Sequence, residues 1–187
     1  MNIKLILCAT AAAVLAGCAG TTTVTRLDPT YEEAAANKFV ATNHQAVDKL
    51  IASFNLTAAG DNPVLVATVV NVNDTRRSAP LGRTLSEQYA SRLVNVGFNV
   101  KELKLRGDVF VKEQTGELLL SREIKDIAQM HHANYVLVGT YSVAASVTYV
   151  SLKFVRTQDS RIIRGYDYAL PNDKDVNRLL QPAPLNQ

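Results

Sequence analysis

Val64-Leu65-Val66-Ala67-Thr68-Val69-Val70 is a nearly unbroken apolar, β-branched run, preceded by the turn-forming Gly60-Asp61-Asn62-Pro63. A strand with one wet face alternates apolar and polar residues. A run without that alternation suits a strand covered on both faces, as in a parallel sheet under helices. The segment that follows reads as a helix. Ser78-Ala79-Pro80-Leu81 opens it, with Pro where a missing N–H costs little, and Leu81, Leu85, Tyr89, Leu93 and Val96 recur along one stripe. Gly97 stops it, and Phe98 is placed to fold back onto the last turn.

Downstream, Phe98 to Leu105 predicts a second strand, and the polar Arg106 to Gly116 a surface loop or a short extra element. A helix over about Ser121 to His131 buries Ile124, Ile127 and Ala128. Tyr135-Val136-Leu137-Val138-Gly139-Thr140-Tyr141 is another buried strand. Val147 to Val155 and Ile162 to Ala169, joined by Thr157-Gln158-Asp159-Ser160, close the sheet as a hairpin. Upstream, Thr30 and Glu33 have capping-box spacing before a helix from about Tyr31 to Phe54. Phe39, Val40, Val47, Leu50, Ile51 and Phe54 fall mainly on one of its faces. The order β-α-β-α-β-β-β predicts an α/β fold: a mixed five-stranded sheet covered by helices and preceded by an N-terminal amphipathic helix. The expected divisions are a leader at 1–17, a tether at 18–29, the N-terminal helix at 30–57, the α/β domain at 58–172, and a polar tail at 173–187 that frays.

At 187 residues there is room for one domain and an appendage. Hydrophobic residues at 47% and charged residues at 20% exclude wholesale disorder. A net charge of +3 is too small an excess to argue for nucleic acid. Two cysteines exclude a disulfide-dense scaffold, and 6% aromatics without Trp offer little for stacking sugars or bases.

The amino terminus reads as an address. Lys4 precedes an uncharged stretch, Leu5 to Ala16. As a helix it reaches only ~18 Å against ~30 Å of bilayer hydrocarbon, so it fits a secretory core and not a span. It ends Leu15-Ala16-Gly17-Cys18-Ala19-Gly20, which resembles the lipobox of bacterial lipoproteins. The resemblance implies cleavage between Gly17 and Cys18, a diacylglyceryl group on the Cys18 sulfur and usually acylation of the new amine. At about 0.8 kcal/mol per buried CH₂, one chain holds a protein marginally and two or three hold it for good. Ala19, in place of the retention signal Asp, implies the outer membrane, with the domain in the periplasm. The other reading is an ordinary signal peptide with Cys18 as a bystander thiol. If the lipobox holds, Cys8 leaves with the leader, Cys18 is alkylated, and thiol catalysis and cysteine metal sites are excluded.

Catalytic signals are thin. His131 and His132 are adjacent, about 100° apart on a helix, and do not readily chelate one ion. Glu113, Glu117, Glu123 and Asp126 read as solvated carboxylates, since an acid–base pair would need a cleft that this chain offers little to build. There is no G-x-S-x-G elbow, P-loop or G-x-G-x-x-G motif, so no enzyme, cofactor or small-molecule substrate is expected. Arg76, Arg77, Arg83, Arg92, Lys101, Lys104, Arg106 and Lys112 are interspersed with Asp74, Glu87, Glu102 and Asp108. They read as a mixed-charge face, or as a contact for an acidic partner, peptidoglycan or anionic headgroups. Arg106-Gly107-Asp108 spells an adhesion tripeptide too short to count.

The stretch from about Asn62 to Pro171 resembles the FlgO family of flagellar outer-membrane lipoproteins. The resemblance is carried by Pro63-Val64-Leu65-Val66-Ala67, Ser78-Ala79-Pro80-Leu81-Gly82-Arg83, Leu85-Ser86-Glu87-Gln88-Tyr89-Ala90-Ser91-Arg92-Leu93, Leu120-Ser121-Arg122-Glu123-Ile124, Ala133-Asn134-Tyr135-Val136-Leu137-Val138-Gly139-Thr140-Tyr141 and Tyr166-Asp167-Tyr168-Ala169-Leu170-Pro171. It implies a fold akin to the amino-terminal domain of TolB, and a non-catalytic role in assembling or stabilising the flagellum at the outer membrane, hence motility. Implied partners are the membrane through Cys18 and flagellar or envelope proteins. Self-association stays open and nucleic acid is excluded by export. Ser78, Pro80, Leu81, Gly82 and Arg83 are the expected partner contact, against the reading of a helix cap with Leu81 in the core. The rival function is a general envelope lipoprotein with TolB-like protein or peptidoglycan contacts. One departure is His132, where such sequences often carry Gly; a side chain there costs energy if φ is positive.

Overall fold

The computed structural model describes residues 28–54, 60–74, 79–103, 110–112, 118–120 and 122–181. The chain divides into two compact units, Met1–Ala36 and Asn37–Gln187. In the first, α1 (Tyr31–Ala35) begins with the expected capping box: Glu33 N–H donates to Thr30 Oγ1 (3.1 Å) and Thr30 N–H to Glu33 Oε2 (2.7 Å).

The second unit starts with α2 (Lys38–Ile51). The single helix expected from Tyr31 to Phe54 is therefore two. The reason is Asn37, whose side chain accepts from Phe39 N–H at 2.8 Å while its backbone is extended. An asparagine offers the chain a local partner outside the helix, which makes it a cap. Along α2, Ala46, Val47 and Leu50 are buried, whereas Val40 is 46% exposed.

The rest runs β1 (Val64–Ala67), β2 (Val70–Asn71), α3 (Pro80–Asn95), β3 (Val100–Leu103), β4 (Phe110–Lys112), β5 (Leu118–Leu120), α4 (Arg122–Met130), β6 (Tyr135–Val143), β7 (Val147–Arg156), β8 (Ile162–Pro171) and α5 (Lys174–Leu180). The main sheet has the order β3-β1-β6-β7-β8, with β2 also on β6. β1 pairs in parallel with β3 and β6, as a βαβ unit requires, and β6, β7 and β8 are antiparallel.

The expected α/β class with a mixed sheet stands, with three differences in detail. The first strand is broken into β1 and β2. Val69 turns its N–H out of the sheet to Ser86 Oγ (2.9 Å), which itself donates to Gly82 O (2.7 Å). Its side chain packs over Gly139, where an added Cβ would lie 3.0 Å from Val69 and 3.1 Å from Leu152. The polar stretch after β3 contains the hairpin β4–β5, pairing Phe110 with Leu120 and Lys112 with Leu118. The tail also begins with a helix, because Asp173 accepts from the N–H groups of Asp175 (3.0 Å) and Val176 (2.8 Å), and Val176 is buried.

Two cores flank the sheet. On one face Val47 and Leu50 of α2, Leu81, Leu85, Tyr89 and Leu93 of α3, and Val176 of α5 cover Val64, Val66, Leu137, Val150, Leu152, Phe154 and Leu170. On the other, Ile124 and Ala128 of α4 cover Leu65, Ala67, Val136, Val138 and Val155. β1 is buried at every position because both layers reach it. Each fully buried Leu or Phe here is worth ~1.5–3 kcal/mol relative to leaving it exposed.

Candidate functional site

Helix α4 reaches only the near ends of β6 and β7, so the same face of β6, β7 and β8 further along is open. A groove of about 570 Å³ lies there, lined by Val72, Thr140, Ser142, Tyr149, Asp167 and Ala169 among others. Strand register builds its floor in two rows: Thr140, Ser151 and Asp167 lie side by side, then Ser142, Tyr149 and Ala169. Hydroxyls and small side chains leave Tyr149 standing 56% exposed at the centre. With Val72 43% exposed beside it, the surface offers apolar contact flanked by hydroxyl donors and one carboxylate.

The rim of this groove meets the start of α3. Val72 donates its N–H to Tyr141 O at 2.9 Å. The Tyr141 phenol is hydrogen-bonded to the Ala79 backbone and to the Asn71 side chain; burial pushes its pKa up, and those two bonds partly offset the rise. Tyr141 thus braces the segment leading into α3 against the end of β6. Of the expected contact residues, Leu81 and Gly82 are buried in the packing of α3. Pro80 is half-buried at the first turn and Arg83 is exposed. Ser78, like Gly17 and Cys18, lies outside the described residues.

A second polar cluster sits on the opposite face, inside the core. Tyr168 OH donates to Asn43 Oδ1 (2.6 Å), Asn43 Nδ2 donates to Gln88 Oε1 (2.6 Å), and the Tyr89 and Tyr168 hydroxyls are hydrogen-bonded to each other. Desolvation raises both phenol pKa values; the charge of Tyr168 adds to the rise at Tyr89, and the bond from Tyr89 offsets part of that at Tyr168. Both stay neutral near pH 7 and act as a structural clasp. Nearby, Arg92 grips Asp48 with two bonds of 2.7 and 2.9 Å, joining α3 to α2 at a partly exposed site where solvent screens the pair. Sequence reading missed Asn43, the one polar position on the buried stripe of α2.

The remaining candidates stay apart. His131 and His132 are both exposed, and His131 Nδ1 faces Lys101 Nζ at 3.2 Å. Asp126 is exposed, Glu113 and Glu117 lie outside the described residues, and no group of metal-ligating side chains forms among those that are described. No described helix is long and apolar enough to cross a membrane. Arg76, Arg77, Lys104, Arg106 and Asp108 lie outside the described residues.

Among solved structures, the chain is similar to the LpoB C-terminal domain from Escherichia coli, at 18% identity over 72% of this chain and 98% of that one, with a TM-score of 0.48. It is similar to the LpoB C-terminal domain from Salmonella enterica at 20% identity, 68% and 93% coverage and a TM-score of 0.46. For the PelC L103M dodecamer from Paraburkholderia phytofirmans the values are 15%, 61%, 74% and 0.44. No curated protein matches the chain. Residues 44–175, more than two-thirds of the sequence and the whole of the sheet, match the family described as FlgO protein, and the chain therefore belongs to the FlgO family.

Proposed function

We propose that this protein is a lipid-anchored component of the outer membrane whose domain faces the periplasm, where it acts as a scaffold or interaction protein in assembling or stabilising the flagellum. The observation that carries the reading is the FlgO match over residues 44–175 behind Leu15-Ala16-Gly17-Cys18. In this reading the leader is cut after Gly17, acyl chains on Cys18 fix the protein to the leaflet, and residues 19–27 give it a reach of at most about 30 Å. The work is contact without catalysis. In this reading the partner meets the chain at the stretch holding Ser78, Pro80, Leu81, Gly82 and Arg83, where Arg83 is exposed and Leu81 and Gly82 are buried.

Two measurements test this. Mass spectrometry of the processed chain should find Cys18 as the first residue, carrying acyl mass; an unmodified thiol or a retained leader overturns the anchor. Deleting the gene should abolish swimming and leave detergent resistance intact. Normal swimming with a leaky envelope overturns the flagellar role in favour of a general envelope lipoprotein.

A further inference from the structure

Strand β8 is the outermost strand on the antiparallel side of the sheet and is ten residues long. Asn172 donates its N–H to Ser146 O at 2.9 Å, just beyond the β7–β8 ladder. Backbone polar groups alternate in direction along a strand, so Leu170, Tyr168, Tyr166 and Arg164 turn theirs toward β7. The N–H and C=O groups of Gly165, Asp167 and Ala169 therefore point away from the sheet, where no strand among the described residues meets them; the alternation extends no further back, because the register passes from Val155↔Ile162 to Phe154↔Arg164 and skips Ile163. The Ile163 carbonyl accepts from Arg164 Nη1 at 3.0 Å. Natural edges of this length are usually blunted by Lys, Pro or a bulge. β8 has no Lys, its Pro is the last residue, and the sheet's register shift falls at Phe154/Val155 beside its first residues.

Charge along the edge says which strand completes it. The starting end is basic, with exposed Arg161 and Arg164. The finishing end is acidic, with exposed Asp167, Asp173 and Asp175 against Lys174. The complement of such a strand is the same strand running the other way.

We infer that β8 pairs antiparallel with β8 of a second copy about a two-fold axis normal to the sheet, with Tyr166 facing its own counterpart. Two conditions set this register. The axis keeps the faces matched, so only residues of equal parity can oppose each other. Centring on Asp167 would set two carboxylates side by side, which is unfavourable. Centring on Gly165 would leave Ala169 without a partner inside the strand. Centred on Tyr166, Gly165 opposes Asp167, Ala169 falls opposite Ile163 inside the strand, and the basic end of each copy lies along the acidic end of the other. The axis also puts both α2 helices on one side of the joined sheet, because α2 packs on a single face beside β8, with Arg164 Nη2 donating to Ser53 O at 3.1 Å. Both chains then enter their domains from the same side, as two anchors in one leaflet require. Only this last point draws on the lipid-anchored reading; the pairing does not.

The test uses the full processed chain in detergent, where acylated Cys18 leaves no other thiol. Opposed residues of a non-hydrogen-bonded antiparallel pair have Cα atoms about 4.5 Å apart, within disulfide range. The Tyr166→Cys chain is expected to oxidise to a covalent dimer much faster than the Tyr149→Cys chain, whose position lies on the open face. In sedimentation velocity the unsubstituted chain is expected to be a dimer. Asp167→Pro, which removes an outward N–H without touching the ladder to β7, is expected to weaken that dimer by about tenfold or more. A monomeric unsubstituted chain at micromolar concentration overturns the inference, as does equal oxidation at positions 149 and 166 or capture of the Tyr166→Cys chain by another envelope protein alone. Should the cysteine chain fail to fold, the sedimentation comparison decides by itself. None of these outcomes depends on whether the cell swims.

Discussion

The two halves of the sheet are covered differently. In the parallel half, β1 lies between helices on both sides and is buried at all four positions. In the antiparallel half, β7 alternates, with Val150, Leu152 and Phe154 buried in the core and Tyr149 standing in the open groove. Two-sided cover fixes every residue of a strand for packing. One-sided cover leaves every second residue available, and here those residues are Tyr149, Ser151, Asp167 and Ala169. Packing is concentrated where both layers meet, and the half that only one layer covers keeps side chains exposed.

That contrast can be broken most directly within β7 itself. Phe154→Ala should cost ~3–5 kcal/mol, because it empties a site where Phe54, Tyr135 and Phe98 rings all pack. Tyr149→Ala, five residues away, should stay within about 0.5 kcal/mol. Urea midpoints of the full chain measure both, and equal losses would mean that the open face is structurally occupied.

A finer comparison sets the ends of two helices side by side. Both α3 and α4 close in the same way. Phe98 N–H reaches back to Leu93 O (3.0 Å) and Ala133 N–H to Ala128 O (2.8 Å) across a residue of positive φ. On the well-buried α3 that residue is Gly97 (φ 99°); on α4, at the sheet's thinner layer, it is His132 (φ 52°). A side chain at positive φ costs roughly 1–2 kcal/mol. Gly97→Ala should destabilise by about that much through backbone strain alone, since nothing lies within 4 Å of the added carbon. His132→Gly should instead raise stability by up to about 1 kcal/mol. If both substitutions destabilise, His132 is held by contacts that outweigh its strain.

The smallest expected effect concerns the turn between β7 and β8. Asp159 is held down to about 2 by its paired bonds from Arg156, at 2.9 and 2.5 Å. A depressed carboxylate stabilises the fold above its ordinary value of 3.8, and that contribution is lost as the pH falls through about 2. Acid unfolding between about pH 4 and pH 2 should therefore be slightly shallower in Asp159→Asn. An unchanged profile would show that the exposed pair adds nothing.

The parallel half was legible because continuous burial writes itself into Val64 to Val70, and the stripe Leu81, Leu85, Tyr89, Leu93 repeats at helical spacing. The break at Thr68 was not. It depends on the Ser86 hydroxyl arriving from another element, and no local pattern announces that. The helix at Lys174–Leu180 could have been found, since Asp173 precedes Val176, Leu179 and Leu180 at capping and helical spacings; its polar composition obscured it. Of the residues expected at the contact, Pro80 is half-buried and Arg83 exposed. Leu81 and Gly82 are buried, because the apolar stripe of α3 begins at Leu81 itself. The open groove could not be read from sequence at all. Its rows exist only once the registers of three strands place Thr140, Ser151 and Asp167 abreast.

The clasp of Asn43, Tyr168 and Tyr89 has a mechanical consequence. It ties α2, the first helix of the larger unit, to the last strand, and that strand to α3, across sequence separations of 125 and 79 residues. Any pull arriving through the first residues is therefore shared at once by the far end of the chain. Peeling α2 away would strand buried hydroxyl and amide groups at ~1–3 kcal/mol each, so the domain resists as one body and does not unravel from the end to which force is applied.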